Sequence, residues 1–119
     1  MTKNVYFIFE VAVKPGRFEV FNTLIADQVE ATQTNEPGTL NYEWAISDDR
    51  QVCHLYERFQ DSAAATTHIH SFATKFAARF AEAAKITRLV VYGTPSAQVK
   101  ESLATLSPVY MLPFDGFGR

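Results

Sequence analysis

One histidine stands where chemistry is easiest to place. His68 shares a helical row with Phe72 and Phe76, each four residues further on. A step of four advances by about 40° around an α-helix, so the row spirals slowly and stays on one broad face. A single polar group on an apolar stripe needs a partner or a task. A neutral imidazole in an apolar pocket can take a proton from a phenol or an enol, because its pKa lies near neutrality. The electron-rich anion left behind can react with O2 without a cofactor. The other role open to His68 is that of a core histidine, hydrogen-bonded to Glu57 or a backbone carbonyl and fixing its helix. Glu57 reads as the residue that orients or satisfies a neighbour rather than as the base. Phe9, Tyr42, Trp44, Tyr56, Phe72 and Phe76 supply an excess of rings, which suits a flat aromatic ligand as well as a plain core.

Other chemistries find little footing. The chain has no Gly-rich phosphate loop, no Cys/His zinc spacing, no Gly-x-Ser-x-Gly elbow and no Rossmann fingerprint. His68 and His70 point about 200° apart on a helix, so they cannot share a metal. A set of His54, His68 and Glu57 has no spacing rule behind it, and the expectation is no metal and no cofactor. A formal net charge of −2 gives no reason to expect nucleic acid or an anionic membrane. The single cysteine, Cys53, lies in an expected strand and allows no intrachain disulfide, which points to a reducing compartment and a cytoplasmic protein. The N-terminus has no apolar leader-like run, and no stretch is long enough to span a bilayer.

The elements that must hold these residues are legible in turn. Val5, Phe7, Phe9, Val11 and Val13 alternate with Tyr6, Ile8, Glu10 and Ala12, giving a strand with one apolar face and one mixed face. Pro15-Gly16 ends it. Phe18, Phe21, Ile25, Val29 and Thr32, widened by Val20 and Leu24, recur at helical spacing up to Asn35-Glu36-Pro37-Gly38. Leu40, Tyr42, Trp44 and Ile46 then alternate, and Ser47-Asp48-Asp49-Arg50 turns the chain into a second strand up to Phe59. Asp61 or Ser62 suits the N-cap of an Ala-rich helical region reaching about Lys85, with a break expected near His70-Ser71-Phe72. Ile86 to Tyr92 reads as a fourth strand. Thr94-Pro95 can open a short helix from Ser96 to Leu106, and the tail after Pro108 is irregular but aromatic.

The order β-α-β-β-α-β predicts an α+β, ferredoxin-like fold: a four-stranded antiparallel sheet with helices on one face, in one domain over residues 1–119. The core is expected at about 5–92, with the C-terminal helix and tail at 93–119. Helices cover only one sheet face. The face carrying Tyr6 and Ile8 therefore calls for a second copy of the chain, and a two-fold homodimer is expected. Tyr110, Met111, Leu112, Phe114 and Phe117 are expected to be substantially buried, over a pocket mouth or across the dimer.

Pro15-Gly16, then Glu36-Pro37-Gly38-x-Leu40-x-Tyr42-Glu43, then Tyr56-Glu57-Arg58-Phe59-x-Asp61 and His68, resemble the antibiotic biosynthesis monooxygenase (ABM) superfamily over about Val5 to Tyr92. The resemblance implies a dimeric α+β barrel with a small pocket between sheet and helices in each subunit. It also implies one of several activities: cofactor-free monooxygenation of quinols or anthrones, haem degradation, or isomerase-like chemistry. His68 matches the family's histidine position. The haem-degrading branch uses an asparagine, a tryptophan and an iron-ligating histidine, and the corresponding positions here are Phe9, His68 and Ala78. None of these matches, which argues against haem degradation. The resulting expectation is a cofactor-independent monooxygenase acting on a small quinol- or anthrone-like aromatic. The alternatives are a non-catalytic small-molecule-binding dimer and an isomerase or lyase of enolisable aromatic rings.

Overall fold

The structure, a computed structural model, describes residues 2–119. Its elements are β1 (Val5–Val13), α1 (Phe18–Asn35), β2 (Thr39–Ile46), β3 (Val52–Phe59), α2 (Ser62–Lys75), α3 (Ala77–Ala83), β4 (Ala84–Tyr92), α4 (Ala97–Leu103), a 3-10 turn (Ala104–Leu106) and β5 (Val109–Met111). The strand order is β2-β3-β1-β4-β5. The first four strands pair antiparallel, and β5 adds in parallel to the edge of β4. The fold is thus the expected ferredoxin-like α+β arrangement, but the sheet is mixed and has five strands, not four.

The apolar face of β1 dictates where the core lies. Val5, Phe7 and Val11 are buried under the helices, while Tyr6, Ile8 and Glu10 face the other way. Two buried clusters result. One gathers Val5, Phe7, Phe59, Leu89 and Val91 with Val99 and Leu103 of α4. The other gathers Val11, Cys53 and Ala84 with Phe21 and Leu24 of α1 and Phe80 and Ala83 of α3. Phe9 packs against both, so the space between the clusters lies over the middle of β1. Cys53 is buried in the second cluster and burial pushes its thiol pKa up, as suits a small core hydrophobe.

Two bulges tune the faces. The β1–β4 register shifts between Glu10 and Val11, with Thr87 donating its hydroxyl to the Glu10 carbonyl at 3.1 Å. The extra residue lets Leu89 and Ile86 both face the helices, although they are an odd number of positions apart. A second shift leaves Leu40 unpaired and 42% exposed, while Tyr42 and Trp44 continue on the helix face opposite Glu57 and Leu55.

The helical region departs from expectation in one informative place. Asp61 caps α2 by accepting from the Ala64 N–H at 2.9 Å. The helix breaks at Phe76, not near His70-Ser71-Phe72, and α3 then carries the chain into β4. Ser96, not Thr94, caps α4, accepting from the Val99 N–H. The tail does not lie over the pocket mouth, one of the two places expected for it. Within one chain Phe114 is 97% and Phe117 84% exposed, and Tyr110, Met111 and Leu112 are exposed too. The tail runs beside Tyr6 and Tyr92, on the sheet face away from the helices.

Candidate active site

The helices leave a cavity of about 90 Å³ between themselves and the sheet. Its floor is Phe7, Phe9, Leu55 and Glu57 on the central strands, with Tyr42 and Trp44 from β2 and Ile86 from β4. Gln28 reaches in from α1, His68, Ile69 and Phe72 from α2, Phe80 from α3 and Leu106 from the C-terminal segment.

Glu57 is placed by register alone. On β3 it lies between Phe7 of β1 and Tyr42 of β2, on the helix-facing side, and is 2% exposed. A carboxylate there is costly unless it is paired. Its pair is His68, seated two turns into α2 above the sheet, with Nε2 3.0 Å from Glu57 Oε1. The other ring nitrogen, Nδ1, lies 2.7 Å from Glu36 Oε1. Glu36 ends α1 and also accepts from the Thr39 hydroxyl at 3.0 Å. Gly38 lets this loop approach α2, because a Cβ on it would stand 2.7 Å from the Ala64 Cβ. His68 therefore bridges two buried carboxylates, and both of its N–H groups are committed to them.

The electrostatics follow from that geometry. Burial by itself would lower the His68 pKa. The charge of Glu57, the hydrogen bonds to Glu36 and Glu57 and the charge of Glu36 outweigh it and raise the pKa to about 10. The ring is an imidazolium at neutral pH, so it is not a free base. Tyr42 accepts a hydrogen bond from Gln28 Nε2 at 2.7 Å. Burial first, and then the charge of Glu57, hold its phenol well above the ordinary value, so it stays protonated.

Among the described residues three buried polar side-chain atoms find no protein partner: Glu57 Oε2, Trp44 Nε1 and Gln28 Oε1. All three belong to residues lining this one cavity. Buried polar groups are rarely left unpaired, and such groups gathered round one space suit a polar ligand or ordered water.

The structure brings together six of the eight residues expected in the site: His68, Glu57, Phe9, Tyr42, Trp44 and Phe72. It separates the other two. Tyr56 lies on the opposite sheet face, its ring 6.4 Å from that of Tyr6. Phe76 leaves the helix at φ −128 and packs in the second core cluster outside the cavity; Phe80 takes its place, edge-on to Phe72 at 5.6 Å. His54 also sits on the far face, 4.0 Å from Glu10, so it shares no site with His68. Among the described residues no group of three or more His, Cys, Asp or Glu is arranged to hold a metal. Glu36, Gln28 and Leu106 were not anticipated. Gln28 had a signal, since it falls on the buried stripe of α1 with Phe21, Leu24 and Thr32.

The family model described as antibiotic biosynthesis monooxygenase matches residues 4–75, which carry both carboxylates and His68. This chain belongs to the antibiotic biosynthesis monooxygenase family. Solved structures share its fold at low identity. MupZ from Pseudomonas fluorescens is 21% identical at a TM-score of 0.85, over 100% of this chain and 91% of that one. SnoaB, a cofactor-independent oxygenase from Streptomyces nogalater, is 13% identical at a TM-score of 0.66, over 81% and 97%. Rv0793 from Mycobacterium tuberculosis is 23% identical at a TM-score of 0.63, over 74% and 91%. No curated protein matches the sequence. No helix among the described residues is long and apolar enough to cross a membrane.

Proposed function

We propose that this ABM-family chain is a cofactor-independent monooxygenase of a small quinol-like aromatic, with Glu57 rather than His68 as its base. The observation that carries this reading is the Glu57 carboxylate. One oxygen is held by His68, and the other is buried, unpaired and on the cavity wall. A carboxylate so oriented is placed to accept a proton from a ring hydroxyl. His68 is then a positioning residue that holds Glu57 and balances its charge. The Tyr42 O–H and Trp44 N–H are the donors available to the oxygen on which negative charge develops. The deprotonated ring is electron-rich enough to reduce O2 directly. One oxygen atom enters the ring and the other leaves as water, so a hydroquinone and O2 give a hydroxyquinone and H2O.

The fold match to SnoaB and the family match favour oxygen as co-substrate. Oxygen uptake tests it. The purified chain with a substituted hydroquinone should consume O2 in a one-to-one ratio with quinol, above the rate of autoxidation. Turnover of the ring without oxygen uptake would instead mark an isomerase or lyase using the same base. Binding without turnover would mark a carrier.

The proposal includes a homodimer and a cytoplasmic location, the latter on the strength of the single unpaired thiol of Cys53. The sheet face opposite the site presents Tyr6, Ile8, Tyr56 and Tyr92 with no helix over them, and the aromatic tail runs alongside. A second copy packed on this face would cover both. Sedimentation at micromolar concentration should give twice the chain mass, and a clean monomer there would remove the dimer from the proposal.

A further inference from the structure

We infer that Leu106 gates the cavity and sets the size of ligand it admits. The inference rests on the reading that this cavity is the substrate site. Leu106 differs from every other lining residue in its exposure. It is exposed, at 37%, whereas the others are buried or half-buried, so it stands where the cavity meets solvent. It also lies well beyond residues 4–75, the part matched by the family model. The gate is therefore supplied by the C-terminal segment, while the polar residues under the cavity come from the family-matched part of the chain.

The segment is built to hold that position. Val99 and Leu103 of α4 are buried among Val5, Phe7 and Phe59, which anchors the helix to the sheet. The 3-10 turn Ala104–Leu106 follows directly, and Ser107 then reverses the chain in the left-handed region at φ 48. Val109–Met111 pairs with β4 immediately afterwards. Leu106 is thus pinned on both sides by ordered structure and projects over the cavity instead of trailing away with the tail.

The volume behind the gate sets the ligand class. At about 90 Å³ the cavity is smaller than the roughly 150 Å³ apolar cavity known to take benzene. A single hydroxylated ring would therefore already press on Leu106, and a fused ring system would need the leucine side chain to give way. Among the described residues no lysine or arginine lines the cavity to pair with a carboxylate or phosphate. The ligand class is a neutral, single-ring molecule with a hydroxyl able to donate to Glu57 Oε2.

Phenol and 1-naphthol, titrated into the isotopically labelled chain, test the gate. Trp44 is the one tryptophan, and its indole N–H signal reports occupancy of the cavity directly. The unaltered chain should bind phenol more tightly than 1-naphthol. Leu106→Ala should raise the affinity for 1-naphthol relative to phenol by about tenfold or more. Leu106→Phe should weaken both. An unchanged affinity ratio in a well-folded Leu106→Ala variant overturns the inference. So does a Trp44 signal that neither probe moves in any of the three proteins. Should the alanine variant fold poorly, an unchanged phenol affinity in Leu106→Phe overturns it equally. The outcome is separable from the oxygenase reading. A shifted ratio without oxygen uptake upholds the gate and removes the oxygenase, and oxygen uptake with an unshifted ratio does the reverse.

Discussion

Replacing His68 with alanine should destabilise the protein by about 3–5 kcal/mol, the cost expected when one member of a buried ion pair is removed and the other is left uncompensated. The site makes this worse than an ordinary pair, because two carboxylates, Glu36 and Glu57, would lose their common cation together. The sequence by itself allowed a different result, a nearly intact fold with lost turnover, had His68 been a free base. Denaturant unfolding at neutral pH decides between the two. A loss below about 1 kcal/mol would mean that the bridge contributes little and that Glu57 is not held by it. The pH dependence has a definite sign. The folded-state pKa of His68 is raised from the ordinary 6.5 to about 10. The imidazolium therefore contributes its full stabilisation below about pH 6.5, and that contribution is lost as pH rises towards 10. Stability of the unaltered chain should fall across this alkaline window, and the alanine variant should lack that component of the fall. In acid the variant should recover relative to the parent, since protonating the orphaned carboxylates removes their repulsion.

The sequence carried the fold because each of its elements is locally specified. The alternation in β1, the Pro37-Gly38 punctuation, the Asp61 cap and the helical stripes agree with one topology. The fifth strand was illegible because three residues, Val109–Met111, are too few to show a period, and their pairing with β4 depends on the tertiary fold. Within the site, period-two logic already separated Tyr56 from Glu57, since adjacent strand residues face opposite ways, and counting rings obscured that. Phe76 was lost to a helix break that an Ala-rich, phenylalanine-spaced run does not announce. The role of His68 turned on Glu36, 32 positions away, reaching it through a loop whose approach depends on Gly38. A histidine on an apolar stripe reads as a neutral base until its partners are known. Two carboxylates raise its pKa, which is why the proposed base is Glu57 instead.

Glu57→Gln should then give the largest loss of activity, about 10²–10⁴-fold in kcat/KM for a quinol substrate, the range expected when a positioned base is removed. Glutamine matches the shape of glutamate and can still bond His68 through its amide oxygen, so the cavity should keep its form. What disappears is the ability of the atom at the Oε2 position, buried and without a protein partner, to take a proton. Glu36→Gln is the discriminating companion. It removes a carboxylate from the same histidine but leaves Glu57 in place, outside any contact with the ligand. Its effect should stay within about tenfold, the lesser loss expected for a positioning residue. Oxygen uptake measured on both variants, with melting temperatures as a check on folding, orders the two acids. Glu57→Gln working at the parental rate would end the assignment of this carboxylate as the base. Equal, large losses in both variants would make the three-residue bridge, rather than the free oxygen of Glu57, the unit on which turnover depends.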